Sequence, residues 1–392
     1  MLQDAIGNPV SGLQGSDFTV GLTGSAVSGT VNETGTAGTY TASVTNETAE
    51  TVSVTVTASG VTLTDSPSIT FTPAAASAIE LISGNNQSGE ISTQLTNPLT
   101  VRVSDAFNNP VPGYTVTYSF DQAPAGAAGQ SLSSSSVLTG TAGEASVLLT
   151  LGDKAGTYTV AADGGAIGSV TFSATAEIGS ASDLVITQQP GNTTAGNVIS
   201  PSPEVRVDDA GGNPVAGVGV TVSLQGGSFS SGTLSGTTGA DGTIMFDDLA
   251  IQTAGTYTLL FGTDASGVTD QTSSSFTISA AAPVASNTTA TVPDGTAGNT
   301  TNISITVLDQ FDNPVSGQSG NLTVTVTGSN SVSPSVTESG TQGVYTTSYT
   351  PTVAGTDNIA INLSGSPISG SPFTSQVTTS DINASNSSVT PN

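Results

Sequence analysis

The stretch DAFNNPVPG, residues 105–113, decides the fold, because the chain writes it four times. Close copies begin at Asp4 (DAIGNPVSG), Asp209 (DAGGNPVAG) and Asp309 (DQFDNPVSG), so the phrase returns about every hundred residues. That interval is too long for a solenoid repeat and suits a whole small domain. Within the phrase, the Asp105 carboxylate can accept backbone N–H bonds across a turn. Asn109 tolerates unusual backbone angles, and Pro110 fixes φ and cannot donate to a ladder. Val111 restarts the apolar rhythm, and Gly113 relieves a bend before the next strand. The phrase therefore reads as a corner between consecutive strands rather than as a site used four times.

Outward from the corner, apolar residues alternate. LTVRVSD places Leu99, Val101 and Val103 on one face, TVTYSF does the same with Val116, Tyr118 and Phe120, and SVLLTL with Val147, Leu149 and Leu151. Val205 and Val207, then Val220, Val222 and Leu224, then Tyr257 and Leu259 follow suit a repeat later. Short strands of period two, split by Gly, Asn and Pro, predict antiparallel β-sandwiches. A second phrase, AGTYT, occurs at Ala37, Ala155 and Ala254, with QGVYT around Tyr345 in the fourth repeat. It suggests a tyrosine corner at Tyr40, Tyr158, Tyr257 and Tyr345. Small-residue joints at 73–77, 176–180 and 279–283 are short, so neighbouring repeats are expected to be strung closely.

Composition narrows the function. The chain of 392 residues carries three basic residues, Arg102, Lys154 and Arg206, and a net charge of −26. Nucleic-acid and anionic-membrane binding need clustered Lys and Arg, which are missing here. With no Cys and no His, disulfides, thiolate metal sites, His-dependent triads and Cys nucleophiles are excluded. The first residues, MLQDAIGNPV, lack the basic and apolar regions of a signal peptide, and no apolar run approaches a membrane span. No catalytic, cofactor-binding or metal residue is assigned, and the chain reads as no enzyme.

The second repeat resembles the bacterial immunoglobulin-like domains of the invasin/intimin type, through SAIELISGNNQSG (77–89), NPLTVRVSDAFNNPVPGYTVTY (97–118), TGTAGEASVLLTLGDKAGTYTVAA (139–162) and SVTFSATA (169–176). The third looks alike through DLVITQQPGNTTAG (183–196), VRVDDAGGNPVAGVGVTVSL (205–224) and TTGADGTIMF (237–246). The fourth is similar to filamin-type repeats through GVYTTSYTPTVAGTDNIAINLSGSPISGSPF, residues 343–373. The resemblance implies an all-β tandem array of spacer domains in an extracellular or cell-surface bacterial protein. Its partners would be neighbouring repeats, with any host-cell, protein or glycan receptor outside this segment.

The expected division is an incomplete domain over 1–73, bacterial Ig-like domains over 74–177 and 178–280, a filamin-like domain over 281–379, and a start of a further repeat or tail over 380–392. The first repeat has only Met1–Gln3 ahead of its corner, where the others have about thirty residues. Its first strand and most of its second are missing. The chain thus reads as a window cut from a longer array, or as a subunit whose tail donates a strand to the next molecule. Calcium is a further alternative, with hard oxygen ligands at Asp105, Asn108 and Asn109, at Asp208, Asp209 and Asn213, and at Asp309, Asp312 and Asn313. Glycan binding at a loop tip is another, although Trp is absent and aromatics make up only 5% of the chain.

Overall fold

Alternating Thr and Val leave the backbone little choice but the pleated strand, and the structure is all-β. It is a computed structural model that describes residues 1–390. Among these, helix is confined to three short 3-10 turns, at Gly15–Asp17, Gly165–Ile167 and Ala384–Asn386. The chain divides into two compact units, Met1–Gly179 with Gly211–Asn213, and Ser180–Ala210 with Pro214–Asn392.

In the first unit, the second repeat is a two-sheet sandwich. One sheet runs in the order Gln87–Glu90, Ser169–Glu177, Gly156–Asp163, Thr115–Gln122, Ser136–Leu138. The other runs Glu144–Val147, Leu99–Asp105, Ala76–Ser83. Gln87–Glu90 pairs in parallel with Ser169–Glu177, whereas the other pairs are antiparallel. Leu99, Val101, Val103, Val116, Leu151, Tyr158 and Val160 are completely buried between the sheets. The first repeat is thinner. Phe18–Leu22, Val61–Thr62 and Ser68–Thr70 all pair with Thr51–Ala58, but only Val52, Val54 and Ala58 of its described hydrophobic residues are buried.

In the second unit, the third repeat copies the second. Thr193–Thr194, Phe276–Ser279, Gly255–Thr263, Gly219–Gln225 and Ser235–Thr237 form one sheet, and Ala181–Gln188, Glu204–Asp209 and Thr243–Met245 the other. The fourth repeat differs in one strand. Its short Thr337–Glu338 pairs with Val344–Tyr349, whereas the corresponding Ser136–Leu138 and Ser235–Thr237 pair with Thr115–Gln122 and Gly219–Gln225 in the opposite sheet. The first repeat sides with the fourth, because Asn32–Glu33 pairs with Tyr40–Thr41. The chain thus holds two kinds of sandwich, one in its first and fourth repeats and the other in its second and third.

This division corrects the expected tyrosine corner. The four tyrosines occupy two positions. Tyr158 and Tyr257 donate to carbonyls four residues upstream, Lys154 O at 2.8 Å and Thr253 O at 3.0 Å, as a tyrosine corner should. Tyr40 and Tyr345 donate instead to Val10 O (3.1 Å) and Val315 O (2.8 Å), inside the corner phrase, and accept from Leu13 N and Gln318 N. The place of Tyr158 is taken by Val52 in the first repeat and by the buried Asp357 in the fourth. In the second and third repeats, Thr139 and Thr238 hydroxyls donate to Val111 O and Val215 O, doing what Tyr40 and Tyr345 do elsewhere.

One glycine per repeat fits under the corner proline. Gly38, Gly143, Gly242 and Gly343 have φ of 74°, 74°, 72° and 71°, and a Cβ on Gly343 would come within 2.6 Å of Pro314. Their carbonyls accept from Leu2, Val103, Val207 and Val307 N. Gly343→Ala is therefore expected to lower stability by about 1–3 kcal/mol. Gly340→Ala, where a Cβ meets nothing within 4 Å, should be near neutral. Chemical denaturation of both variants checks the difference.

Candidate functional site

Each corner is built around one carboxylate. Asp105 Oδ1 accepts from Phe107 N (2.9 Å) and Asn109 N (2.8 Å), and Oδ2 accepts from Ala74 N (2.8 Å) and Asn109 Nδ2 (2.9 Å). Asp309 repeats the set with Phe311 N, Asn313 N, Ala281 N and Asn313 Nδ2, at 2.7–2.9 Å. Two of these donors fold the turn, one is the asparagine amide, and one, Ala74 or Ala281, belongs to the joint that leads in from the preceding repeat. The left-handed residue is not Asn109, as the sequence suggests, but the one before it. Gly7, Asn108, Gly212 and Asp312 have φ of 90°, 66°, 72° and 65°. Pro110 faces Ser104 in an isolated bridge, so the phrase folds back on the strand that enters it.

The asparagine amide reaches further than the turn. Asn109 Nδ2 gives its second hydrogen to Glu47 O at 2.7 Å, while Oδ1 accepts from Ala49 N at 2.9 Å. Asn313 does the same to Gln252 O (2.7 Å) and Ala254 N (2.7 Å). Within the first compact unit, Asn213 likewise donates to Asp153 O (2.9 Å) and accepts from Ala155 N (3.0 Å). An amide has one acceptor end and one donor end, so it can bridge a C=O and an N–H two residues apart, as the chain offers them at 47/49, 153/155 and 252/254. The Asn8 side chain donates to Asp4 Oδ2 within its own turn. Burial follows the clasp. Asp105, Asn109, Asp309 and Asn313 are buried, while Asp4 and Asn8 are exposed.

The few cations gather at the same places. Arg102 Nη2 donates to Asn108 O at 2.9 Å and Nη1 pairs with Glu80 at 3.1 Å. Arg206 pairs with Asp208 at 2.7 Å, and Lys154 Nζ donates to Gly211 O. In a chain with three basic residues, all three brace corners.

These contacts bear on the calcium ligands considered from sequence. Both oxygens of Asp105 and Asp309 already accept two N–H donors each. Asp312 Oδ1 accepts from Asn287 Nδ2, and Asn108 Oδ1 from Arg102. Among the described residues, no group of three or more Asp and Glu side chains is placed to hold a metal ion. At the second and fourth corners the structure brings the phrase's residues together as a junction between repeats.

The comparisons follow the two topologies. Residues 92–177 match the family model of the bacterial Ig-like domain (group 1), and residues 282–374 match that of the filamin/ABP280 repeat. No curated protein matches the chain. Similar solved structures include FdeC, an Escherichia coli adhesin, 20% identical, covering 78% of this chain and 99% of that one, with a TM-score of 0.42. Invasin, a bacterial integrin-binding protein, is 18% identical, with 77% and 60% covered and a TM-score of 0.39. The Lin-41 filamin domain is 23% identical, with 25% and 97% covered and a TM-score of 0.22.

The corner carboxylates carry a pH signature. Burial pushes Asp105 and Asp309 up, but the bonds from the Asn109 and Asn313 side chains and from backbone N–H groups outweigh it, and both lie below the ordinary carboxylate value. A carboxyl lowered on folding stabilises the fold above its unfolded pKa of about 4 and loses that contribution as pH falls through the folded value. Thermal melts should therefore show stability dropping below about pH 4. Asp309→Asn should cost about 1–3 kcal/mol at pH 7 and show a shallower acid loss than the parent.

Proposed function

We propose that this chain is a spacer segment of a bacterial adhesin-like surface protein, in which Asn109 and Asn313 fix their repeats onto the ones before. Support comes from the same two bonds, amide to C=O and N–H to amide, recurring at Asn109, Asn213 and Asn313 on three different backbones. These hydrogen bonds are partly buried and satisfied at both ends, so they cost more to break than a fully exposed contact and resist bending at the joint. The bacterial Ig-like match at residues 92–177 and the invasin/intimin resemblance support a surface setting. In this reading the array divides at 1–73, 74–177, 178–280 and 281–379, with 380–392 the start of a further repeat or a tail. Pro391 and Asn392 of that last stretch lie outside the described residues. No helix among the described residues is long and apolar enough to cross a membrane.

The net charge of −26 makes such segments repel one another along a surface. Mechanism here is mechanical. The sandwiches bear load through strand ladders, and the clasps restrict the angle between neighbours. Any adhesive recognition belongs to parts of the protein beyond this array.

The chain has no cysteine, so spin labels can be placed at will. With Thr221→Cys and Thr325→Cys on exposed strand positions of the third and fourth repeats, the inter-label distance distribution should be a single narrow peak. Asn313→Ala should broaden it. A distribution already broad in the parent, and unchanged by the substitution, would defeat the spacer reading with fixed joints.

A further inference from the structure

We propose that Phe311 is the second anchor of the joint between the third and fourth repeats, and that its ring, beyond the asparagine clasp, sets the angle at which the two repeats meet. The inference rests on the spacer reading and adds to it the side chain that does the positioning. The turn itself does not need the ring. The third place of the corner phrase holds Ile6 in the first copy and Gly211 in the third, and all four copies carry a left-handed residue directly after it. A phenylalanine at this place therefore answers to something outside the turn.

What it answers to is the preceding repeat. Phe311 belongs to the fourth corner but packs against the buried core of the third repeat. Its ring lies over Gly196, where a Cβ would come within 2.4 Å of Cζ. Gly196 has a φ of 82° and sits in a tight turn in which Asn197 N donates to Thr194 O. Glycine serves there twice, for the backbone angle and for the close approach of the ring. The joint itself is interlocked in the same sense. Ala281 packs on the third core and its neighbour Ala280 on the fourth, while Ala281 N is held by Asp309 at 2.7 Å.

Ring and amide hold two stretches of the third repeat that are tied to each other. Gly196 N donates to Ile251 O at 2.8 Å, and the next residue, Gln252, accepts from Asn313 Nδ2 at 2.7 Å. The clasp holds the third repeat at Gln252 and Ala254, which lie on one short stretch of backbone. Two bonds to one stretch leave rotation about that stretch open. A further contact off the line, on the turn around Gly196, closes it. The two anchors also differ in kind. The amide is directional, because its donor and acceptor ends must each meet a partner. The ring contributes through apolar area removed from water and through close packing, which fix a separation without requiring one hydrogen-bond geometry. Losing the ring should therefore leave the clasp formed while the angle varies.

Two readouts on the full chain separate angle from clasp. Spin labels at Thr221→Cys and Thr325→Cys report the angle, and hydrogen exchange at Ala254 N reports the clasp. Phe311→Ala is expected to lose the single narrow distance peak while Ala254 N stays as protected as in the parent. Phe311→Leu, which keeps most of the apolar volume, should retain the narrow peak. Protection of Val207 N and Val307 N, which donate to Gly242 O and Gly343 O, checks that both repeats stay folded in each variant. A narrow parent peak that Phe311→Ala leaves unchanged overturns the inference and spares the spacer reading, whereas a peak already broad in the parent overturns both. Equal broadening by alanine and leucine, or broadening accompanied by free exchange at Ala254, also overturns it, because the ring would then have no positioning part of its own.

Discussion

The structure depends on one buried hydrogen-bonded pair, the aspartate and asparagine at the first and fifth positions of the corner phrase. The carboxylate gathers the turn's own N–H groups, the incoming joint and one amide hydrogen. That last bond orients the amide so that its remaining donor and its acceptor face the preceding repeat. Turn, joint and neighbour are therefore held by a single network in which no member can be replaced without stranding another. Its cost is the burial of a carboxylate, offset by four N–H donors in the second and fourth corners. The exposed Asp4 and Asn8 form the same turn from local bonds alone, so the turn is intrinsic and the clasp is added to it.

Around this constant element the sandwiches vary. The short strand before the corner glycine joins one sheet in the first and fourth repeats and the other in the second and third. The valine carbonyl of the phrase is capped by tyrosine in one kind and by threonine in the other. Position 357 shows how freely the interior is rebuilt. Where the second and third repeats bury a tyrosine, the fourth buries Asp357, which accepts from Tyr349 Oη and from the Asn330 side chain. The polar replacement survives burial because its oxygens find donors. Family matches to a bacterial Ig-like domain at 92–177 and to a filamin repeat at 282–374 divide along the same line.

Much of this was legible in the sequence. Period-two apolar runs located the strands, and the residues they assign to the interior, from Leu99 to Leu259, are buried except Phe120, which is half-buried against the same core. The corner was legible because Asp, Pro and Gly each have one physical use there. The clasp was not, since an asparagine before proline explains itself locally and gives no reason to look for a second partner. A signal existed nonetheless. The Ala-Gly-Thr phrase at Ala155 and Ala254 precedes Asn213 and Asn313 at a nearly constant interval, and these are the phrases that touch. The tyrosines misled for a related reason. AGTYT at Ala37 and at Ala155 are the same letters on different strands, and only pairing tells them apart. The left-handed angle at Asn108 rather than Asn109 was hidden because Gly, Asn, Gly and Asp alternate at that place, and it takes the register of the turn to see that one backbone angle links them.

The clasp can be read directly from the amides it covers. Ala49 N and Ala254 N donate to asparagine side chains at the joints. Residue-resolved hydrogen exchange of the full chain, with and without Asn313→Ala, measures whether those bonds persist in solution. A lasting clasp predicts that both amides are protected to the level of the neighbouring strands, and that the substitution exposes Ala254 while leaving Ala49 slow. Free exchange at both positions in the parent chain, beside protected strands, would mean that the repeats swing independently and that the corner is only a corner.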